Sequence, residues 1–278
     1  EINSSNADLT SDIGVMLINL NRNTEALPYF DKAVGLEPEN SYRYSSRAFL
    51  KASLKDTKGA IEDYNKALLY VSQTSKLAEE LKYTRGLAES SYYRALIYTQ
   101  RNDYFNAIDN YKKSKKHYLR IKDTLGIAKV SNSIGLIEIK RGNYAVGLQN
   151  SLSAIAVFEK QDLKDELRKA YCNLAEAYYK TNQIDKAIDF NYKALEVHKQ
   201  INDRKGIITS TKNIAELYSI LKEHRKGIEY YEKVLKLLNP ETDKDLRGEI
   251  LPKLGSEYLR FKEYEKASEY LVEGLKYN

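Results

Sequence analysis

Three histidines, one cysteine and a scatter of carboxylates are what this 278-residue sequence offers for chemistry. His117, His198 and His224 are 81 and 26 residues apart, too far in sequence to form a ligand pair on one helix face. The single cysteine, Cys172, excludes an intramolecular disulfide and a cysteine zinc cluster, and says little about compartment. Serine, histidine and aspartate form no nucleophile pattern, and neither a phosphate-binding glycine loop nor a metal-ligand spacing is present. No catalytic, cofactor-binding or metal-ligating residue is therefore assigned, and the reading is non-enzymatic. The densest basic cluster, Lys112, Lys113, Lys115 and Lys116, is read as the solvated face of a helix. The formal charge of +6 is spread along mixed acids and bases, which excludes a nucleic-acid stripe.

With chemistry set aside, the organising stretch is Tyr171 to Leu195. Tyr171, Leu174, Ala175 and Tyr178 stand at i, i+3, i+4 and i+7, one face of a helix. Thr181-Asn182-Gln183 breaks the pattern, and it resumes with Ile184, Ala187, Ile188, Ala194 and Leu195 as an antiparallel return helix. A lone helical hairpin leaves a face uncovered, so it needs neighbours. The chain supplies them: Ala107, Gly147, Ala187, Gly227 and Ala267 are 40 residues apart, as are Ala95, Gly135, Ala175, Ala215 and Gly255, always 12 earlier. Upstream, Ala26 and Ala60 lie 34 apart, preceded at the same offset by Gly14 and Ala48. The pattern predicts seven tandem helix-turn-helix units.

The order of large and small residues resembles the tetratricopeptide repeat family, in the long 40-residue form of bacterial signalling and sensor proteins. That family has small residues at its eighth and twentieth positions, aromatics near the eleventh, seventeenth and twenty-fourth, and alanine at the twenty-seventh. Tyr98, Tyr178, Tyr218 and Tyr258 fill the eleventh; Tyr104, Tyr144 and Tyr264 the seventeenth; Phe30, Tyr64, Tyr111 and Tyr231 the twenty-fourth; Ala33, Ala67, Ala154 and Ala194 the twenty-seventh. Pro38 ends the first unit as in the family. Lys51 and Glu138 depart from the aromatic position, and Gly274 from the alanine. The resemblance implies an all-α, right-handed α-solenoid with repeats near 7–40, 41–74, 88–121, 128–161, 168–201, 208–241 and 248–278.

A single domain over 10–278 is expected, because in a solenoid each unit packs only on its neighbours. Residues 1–9 are read as a loose polar extension. The junction 72–87 is expected to be irregular, with Ser72 to Ser75 breaking a helix and Lys76 to Leu81 forming a short extra one. Asp123, Asp203 and Asp243 recur at one phase as helix caps, Gly86, Gly126 and Gly206 at another for close junctions. Asn21, Asn102, Gly142 and Asn182 occupy the turn position that calls for left-handed backbone. Of the 24 tyrosines, most fall on core positions. No apolar run reaches the roughly 18 residues of a membrane span. The missing initiator methionine and the uncapped apolar end at Leu271, Val272 and Leu275 are read as signs of a longer protein, or of a dimer through the C-terminal repeat.

In the family, side chains of the outgoing helices line a concave groove. Carried onto this sequence, the groove positions are Tyr92, Tyr93, Lys129, Asn132, Lys169, Asn173, Glu176, Tyr179, Lys212, Asn213, Glu216, Lys253 and Arg260. Asn173 and Asn213 hold the same position in successive repeats, where an amide can bracket a peptide backbone. The family's two-carboxylate clamp for chaperone tails is absent, since its lysine and asparagine positions hold Ser11, Val15, Cys172 and Glu176, among others. The expected partner is a protein or extended peptide, with an acidic part toward the more basic later repeats and no cofactor. The expected role is the sensory or regulatory part of a longer bacterial signal-transduction protein, cytoplasmic or the periplasmic part of a membrane-anchored sensor. The alternatives are a stand-alone scaffold and a cytoplasmic peptide-pheromone receptor of the Rap and PlcR type.

Overall fold

The computed structural model describes residues 2–277. The chain is all-α, with fourteen α-helices and no strand among the described residues. It groups into two compact units, residues 1–141 and 142–278, although the repeat pattern in sequence runs on without a break. The first unit holds α1 (Ile2–Asn19), α2 (Asn23–Leu36), α3 (Ser41–Ser53), α4 (Thr57–Glu80), α5 (Thr84–Gln100), α6 (Tyr104–Arg120) and α7 (Thr124–Lys140). The second holds α8 (Tyr144–Lys160), α9 (Lys164–Lys180), α10 (Ile184–Gln200), α11 (Arg204–Ile220), α12 (His224–Leu237), α13 (Lys244–Arg260), α14 (Tyr264–Gly274) and a 3-10 turn, Leu275–Tyr277. Within each unit every helix packs on the next in sequence.

The 40-residue period resolves into two identical steps of 20. A 17-residue helix is followed by three turn residues, whether the turn lies inside a hairpin or between hairpins. The middle turn residue is left-handed: Lys82, Asn102, Lys122, Gly142, Asp162, Asn182, Asn202, Lys222 and Lys262. The amide after it reaches back to a carbonyl five residues earlier, as Asp103 does to Tyr98 at 2.9 Å and Gln183 to Tyr178 at 2.9 Å. This Schellman closure satisfies the carbonyls at the helix end and reverses the chain within three residues. Asn21, Asn102, Gly142 and Asn182 are left-handed as expected. The lysines doing the same task carry no such signature in sequence. Proline ends two helices early: Glu37 before Pro38 and Leu238 just before Asn239-Pro240 leave the helical region. Because α12 has 14 residues and its loop six, the step of 20 survives even there.

The small-residue combs lie where helices cross. Ala26, Ala48, Ala95, Ala107, Ala187 and Ala215 are wholly buried, with Ala60, Ala175 and Ala267 close to it. Large residues fill the space between: Tyr111, Tyr118, Ile134 and Ile137 in the first unit, and Tyr231, Val234, Ile250 and Leu254 in the second. Of the 24 tyrosines, nine are buried, nine half-buried and six exposed, so the core holds fewer of them than the repeat positions imply. Buried and half-buried phenols pair with one another. Tyr192 lies 3.0 Å from the hydroxyl of Tyr218 and donates to Tyr230 at 2.8 Å. Burial and these two neighbours raise its proton affinity far above a free phenol's.

Four sequence expectations are corrected. Residues 2–9 belong to α1, where Ala7 is buried and Thr10 closes onto the Asn6 carbonyl, so they are no loose extension. Ser72 to Ser75 do not break α4, because the Ser72 and Thr74 hydroxyls bond back to the Leu68 and Tyr70 carbonyls and stay within the helix. Residues 76–80 extend that helix, and the seven extra residues lengthen the repeat rather than add an element. Asp123 and Asp203 cap their helices by accepting from the Gly126 and Gly206 amides, each at 2.9 Å, but Asp243 does not cap. Its carboxylate instead accepts from Arg204 at 2.6 Å and from the Asn239 amide at 2.7 Å. At the C-terminus Leu271 lies inward against Gly255, and Tyr277 folds back to accept from Arg247 at 3.1 Å. Val272 and Leu275 remain exposed.

Candidate partner-binding face

The outgoing helices of the second unit, α9, α11 and α13, carry the expected groove residues at matching heights. On α11 and α13 they knit into a lattice of charges. Lys212 donates to Glu249 at 3.0 Å, and Lys253 donates to Glu249 at 2.8 Å and to Glu216 at 2.6 Å. All four side chains remain 23–39% exposed, so solvent and a ligand reach them. Burial works against the Lys253 ammonium, but the two carboxylates outweigh it and raise its proton affinity beyond the ordinary lysine range. Burial likewise opposes the Glu249 charge, and Lys253 and Lys212 overcome it, holding Glu249 below the usual carboxylate value. Lys169 faces Glu166 at 3.5 Å, Lys180 lies over the Tyr179 ring, and Arg260 bonds the buried Glu257 at 2.7 Å. The cations of α11 and α13 are thus largely met by their own neighbours. An acidic ligand meets alternating charge here, not a free basic strip.

The asparagines are drawn inward. Asn213 donates to Asn191 at 3.2 Å, and Asn191, itself buried, donates to the Ala187 carbonyl at 2.8 Å. Asn132 and Asn173 are 5% and 7% exposed, which ties these positions to packing as well as to any ligand. Glu176 and Tyr179 are exposed on α9, Lys129 is half-buried on α7, and Tyr92 is half-buried with its ring 5.9 Å from exposed Tyr93 on α5. The basic cluster on α6 is an exposed face at Lys112, Lys113 and Lys116, with Lys113 paired to Asp109 at 2.7 Å.

One constellation is not legible in sequence because its members are 26 and 5 residues apart. Buried His198 lies 3.9 Å from the Cys172 sulfur through Nε2 and 2.8 Å from Asp203 through Nδ1. The order is that of a cysteine nucleophile with its base, but the electrostatics are not. Desolvation by the atoms around it raises the Cys172 thiol, although the residue is exposed at the surface, and burial lowers the His198 imidazole, Asp203 opposing the latter, so a neutral pair is favoured over thiolate and imidazolium. His198 occupies the place filled 40 residues earlier by Phe158 and 80 earlier by Tyr118, both buried. It is a packing residue with a polar edge. An unfolded chain protonates this histidine near 6.5 and the folded chain resists, so folding stability falls as pH drops through that value and levels off below the folded-state pKa. His117, also lowered by burial, adds to the same window. His198→Phe should therefore keep the fold and flatten the fall in melting temperature between pH 7 and 5. An unchanged slope would show that His198 takes up its proton as freely folded as unfolded.

Stacked helical hairpins with an exposed row of charged and aromatic residues on the outgoing helices define an α-helical repeat protein. Sequence profiles of the tetratricopeptide repeat match residues 126–200, 11–40 and 213–237, so those stretches carry repeats of that family. Its repeats are in general interaction scaffolds rather than catalysts. A comparison with curated proteins finds no match. Among solved structures, BtubC (BKLC) from P. vanneervenii is 15% identical over 77% of this chain and 90% of that one, with a TM-score of 0.63. A STAND signal-transduction ATPase with a tetratricopeptide repeat sensor, from Pyrococcus horikoshii, is 16% identical over 98% of this chain, with a TM-score of 0.66. The chain spans 42% of that protein's length. The apo form of RapI is 16% identical over 98% of this chain and 76% of that one, with a TM-score of 0.64. At these identities the likeness is one of fold.

Proposed function

We propose that this chain is the peptide- or protein-binding sensory region of a bacterial signal-transduction protein, and that its second unit binds an extended segment across α11 and α13. The half-exposed lattice of Lys212, Glu249, Lys253 and Glu216 carries the reading. A surface ion pair contributes little to stability, about 0–1 kcal/mol, so these pairs can be exchanged for a ligand's charges at small cost. A peptide carboxylate can take Lys253 from Glu216 while a backbone amide or basic side chain takes Glu249. Alternating charge favours a ligand of mixed sequence in one register, which is specificity rather than raw affinity. The description of the Pyrococcus protein's repeats as a sensor supports the signalling side of this reading.

The test begins with peptides that co-purify with the chain, identified by mass spectrometry and resynthesised. Lys212→Ala with Lys253→Ala should weaken their binding by about tenfold or more, the size expected of two central charged contacts. Lys112→Ala with Lys113→Ala on α6 should change it less than about twofold. Equal losses would move the binding surface off the outgoing helices. Exposed Tyr264, Val272 and Leu275 are the proposed contact for a second copy, and a strictly monomeric sedimentation profile would remove it.

A further inference from the structure

Helices α1 and α14 carry the two halves of one kind of contact. Met16 on α1 is 55% exposed, whereas Leu50, Ile97, Ile137, Ala177, Leu217 and Glu257, which hold its place in the later repeats, are 0–4% exposed. Leu9 is 60% exposed, and its counterparts, from Arg43 in the second repeat to Ile250 in the last, are 0–3%. Leu9, Ile13 and Met16 stand at i, i+4 and i+7, one apolar stripe of α1. The complement is on α14. Leu275 is 70% exposed, although Leu195 and Ile155, 80 and 120 residues earlier, are buried and Leu235 packs into the core of the second unit. Tyr264 and Val272 are exposed on the same helix.

The interior junctions, where a return helix meets the outgoing helix after it, supply the register. At the start of α12, His224 lies 2.7 Å from Glu257 on α13. Further along a return helix, Asp31 on α2 accepts from Arg47 on α3 at 2.8 Å. Further still, Lys115 on α6 donates to Ser131 on α7 at 3.0 Å. Counted within their repeats, these are the seventeenth position with the tenth, the twenty-fifth with the seventh and the twenty-eighth with the fourth. The same places on α14 and α1 hold Tyr264 with Met16, Val272 with Ile13, and Leu275 with Thr10, next to Leu9. Where the interior junctions use charge and hydrogen bonds, this pairing sets apolar side chains against apolar ones.

We propose that α14 of one copy packs on α1 of the next, head to tail, in the register of the interior junctions. The inference rests on the reading of the α14 face as a contact for a second copy, and names what that face meets. Joining the two faces withdraws Leu9, Met16 and Leu275 from water and sets a thioether against a phenol ring, a favourable contact. A symmetric contact between two α14 faces would leave the α1 stripe in solvent. A head-to-tail contact instead leaves one α1 and one α14 free on every assembly, so association proceeds stepwise past the dimer. The contact is small, so it forms weakly and with concentration. The Lys212, Glu249, Lys253 and Glu216 lattice takes no part in it.

The test is analytical ultracentrifugation of the whole chain and of two variants that each spoil one face, Met16→Lys and Leu275→Lys. The mean mass of the unaltered chain should rise past that of a dimer as concentration approaches about 1 mM. Each variant alone should stay monomeric, its contact weakened at least about tenfold. Mixed in equal amounts, the two should form a one-to-one dimer and nothing larger, through the intact α14 of Met16→Lys and the intact α1 of Leu275→Lys. Both side chains are more than half exposed, so unchanged melting curves are expected. Leu9→Lys, a second α1 variant, should act as Met16→Lys does, and the mixed dimer itself shows that the untouched faces are folded. If Met16→Lys and Leu9→Lys still dimerise and Leu275→Lys does not, the contact is a symmetric one through α14, which overturns this proposal and keeps the second-copy reading. Association that survives all three variants, or a mixture that stays monomeric, would overturn it too. An unaltered chain that is monomeric throughout would overturn both readings. Co-purified peptides should bind every variant as they bind the unaltered chain, so the peptide site is judged separately.

Discussion

Arg47→Ala is expected to destabilise the first unit by about 3–5 kcal/mol, the cost of stripping a buried charge of its partner. Asp63 on α4 is 3% exposed and is held in a two-pronged bond by Arg47 on α3, at 2.7 Å through both oxygens. Lys51 reaches it at 2.9 Å, one turn further along α3. Burial works to raise the Asp63 carboxyl, but the bonds from Arg47 and Lys51 outweigh it and keep it below the ordinary 3.8. The stability from this pair is therefore present above that value and is lost as pH falls through the folded-state pKa. In Arg47→Ala a single lysine must hold the carboxylate, and the bridge to Asp31 disappears as well. Replacing both partners, Arg47→Met with Asp63→Leu, should recover part of the loss, because the buried carboxylate is gone, although Lys51 then loses its partner and must turn to solvent. Urea unfolding followed by circular dichroism measures both. A loss below about 1 kcal/mol in Arg47→Ala would mean that the pair behaves as a solvated surface bridge.

That network shows where a single sequence stops being informative. The helix count, the hairpin register and the buried combs follow from spacing, because a small residue every 40 positions has few explanations other than a repeated close crossing. Ala175, Ala187, Ala215 and Ala267 lie where that reasoning puts them. The left-handed turn residues are legible only when they are asparagine or glycine; Lys82, Lys122, Lys222 and Lys262 show that the closed hairpin imposes the conformation on residues with no preference for it. Charge pairing is less legible still. Lys212 and Glu249 are 37 residues apart, Arg43 and Asp8 are 35, and only the stacking of successive repeats brings them together. Counting charges along the outgoing helices therefore gives the composition of the face but not its free charge.

Gly206→Ala tests the closeness of successive hairpins, and a net loss of about 1–2 kcal/mol is expected. A β-carbon on Gly206 would lie 2.0 Å from Nδ1 and 2.2 Å from Cε1 of His198, inside any permissible contact. The ring cannot easily yield, since it is buried, bonded to Asp203 at 2.8 Å and set against Cys172. Overpacking of this kind costs about 1–3 kcal/mol, offset in part by the helical gain of alanine over glycine, at most about 1 kcal/mol. Gly126 stands in the same relation to the Tyr118 ring, 2.4 Å from Cδ1, so Gly126→Ala should behave alike in the first unit. Gly35, with nothing within 4 Å of an added β-carbon, is the control, and Gly35→Ala should leave stability unchanged or slightly raised. The decisive variant is the double one. His198→Ala alone opens a cavity, but in the Gly206→Ala background part of that space is filled by the new methyl and the clash is gone. The two changes should therefore be less harmful together than their sum, by about 0.5–3 kcal/mol. Strict additivity in thermal and urea melts would mean that the helix start at Gly206 is not pressed against His198.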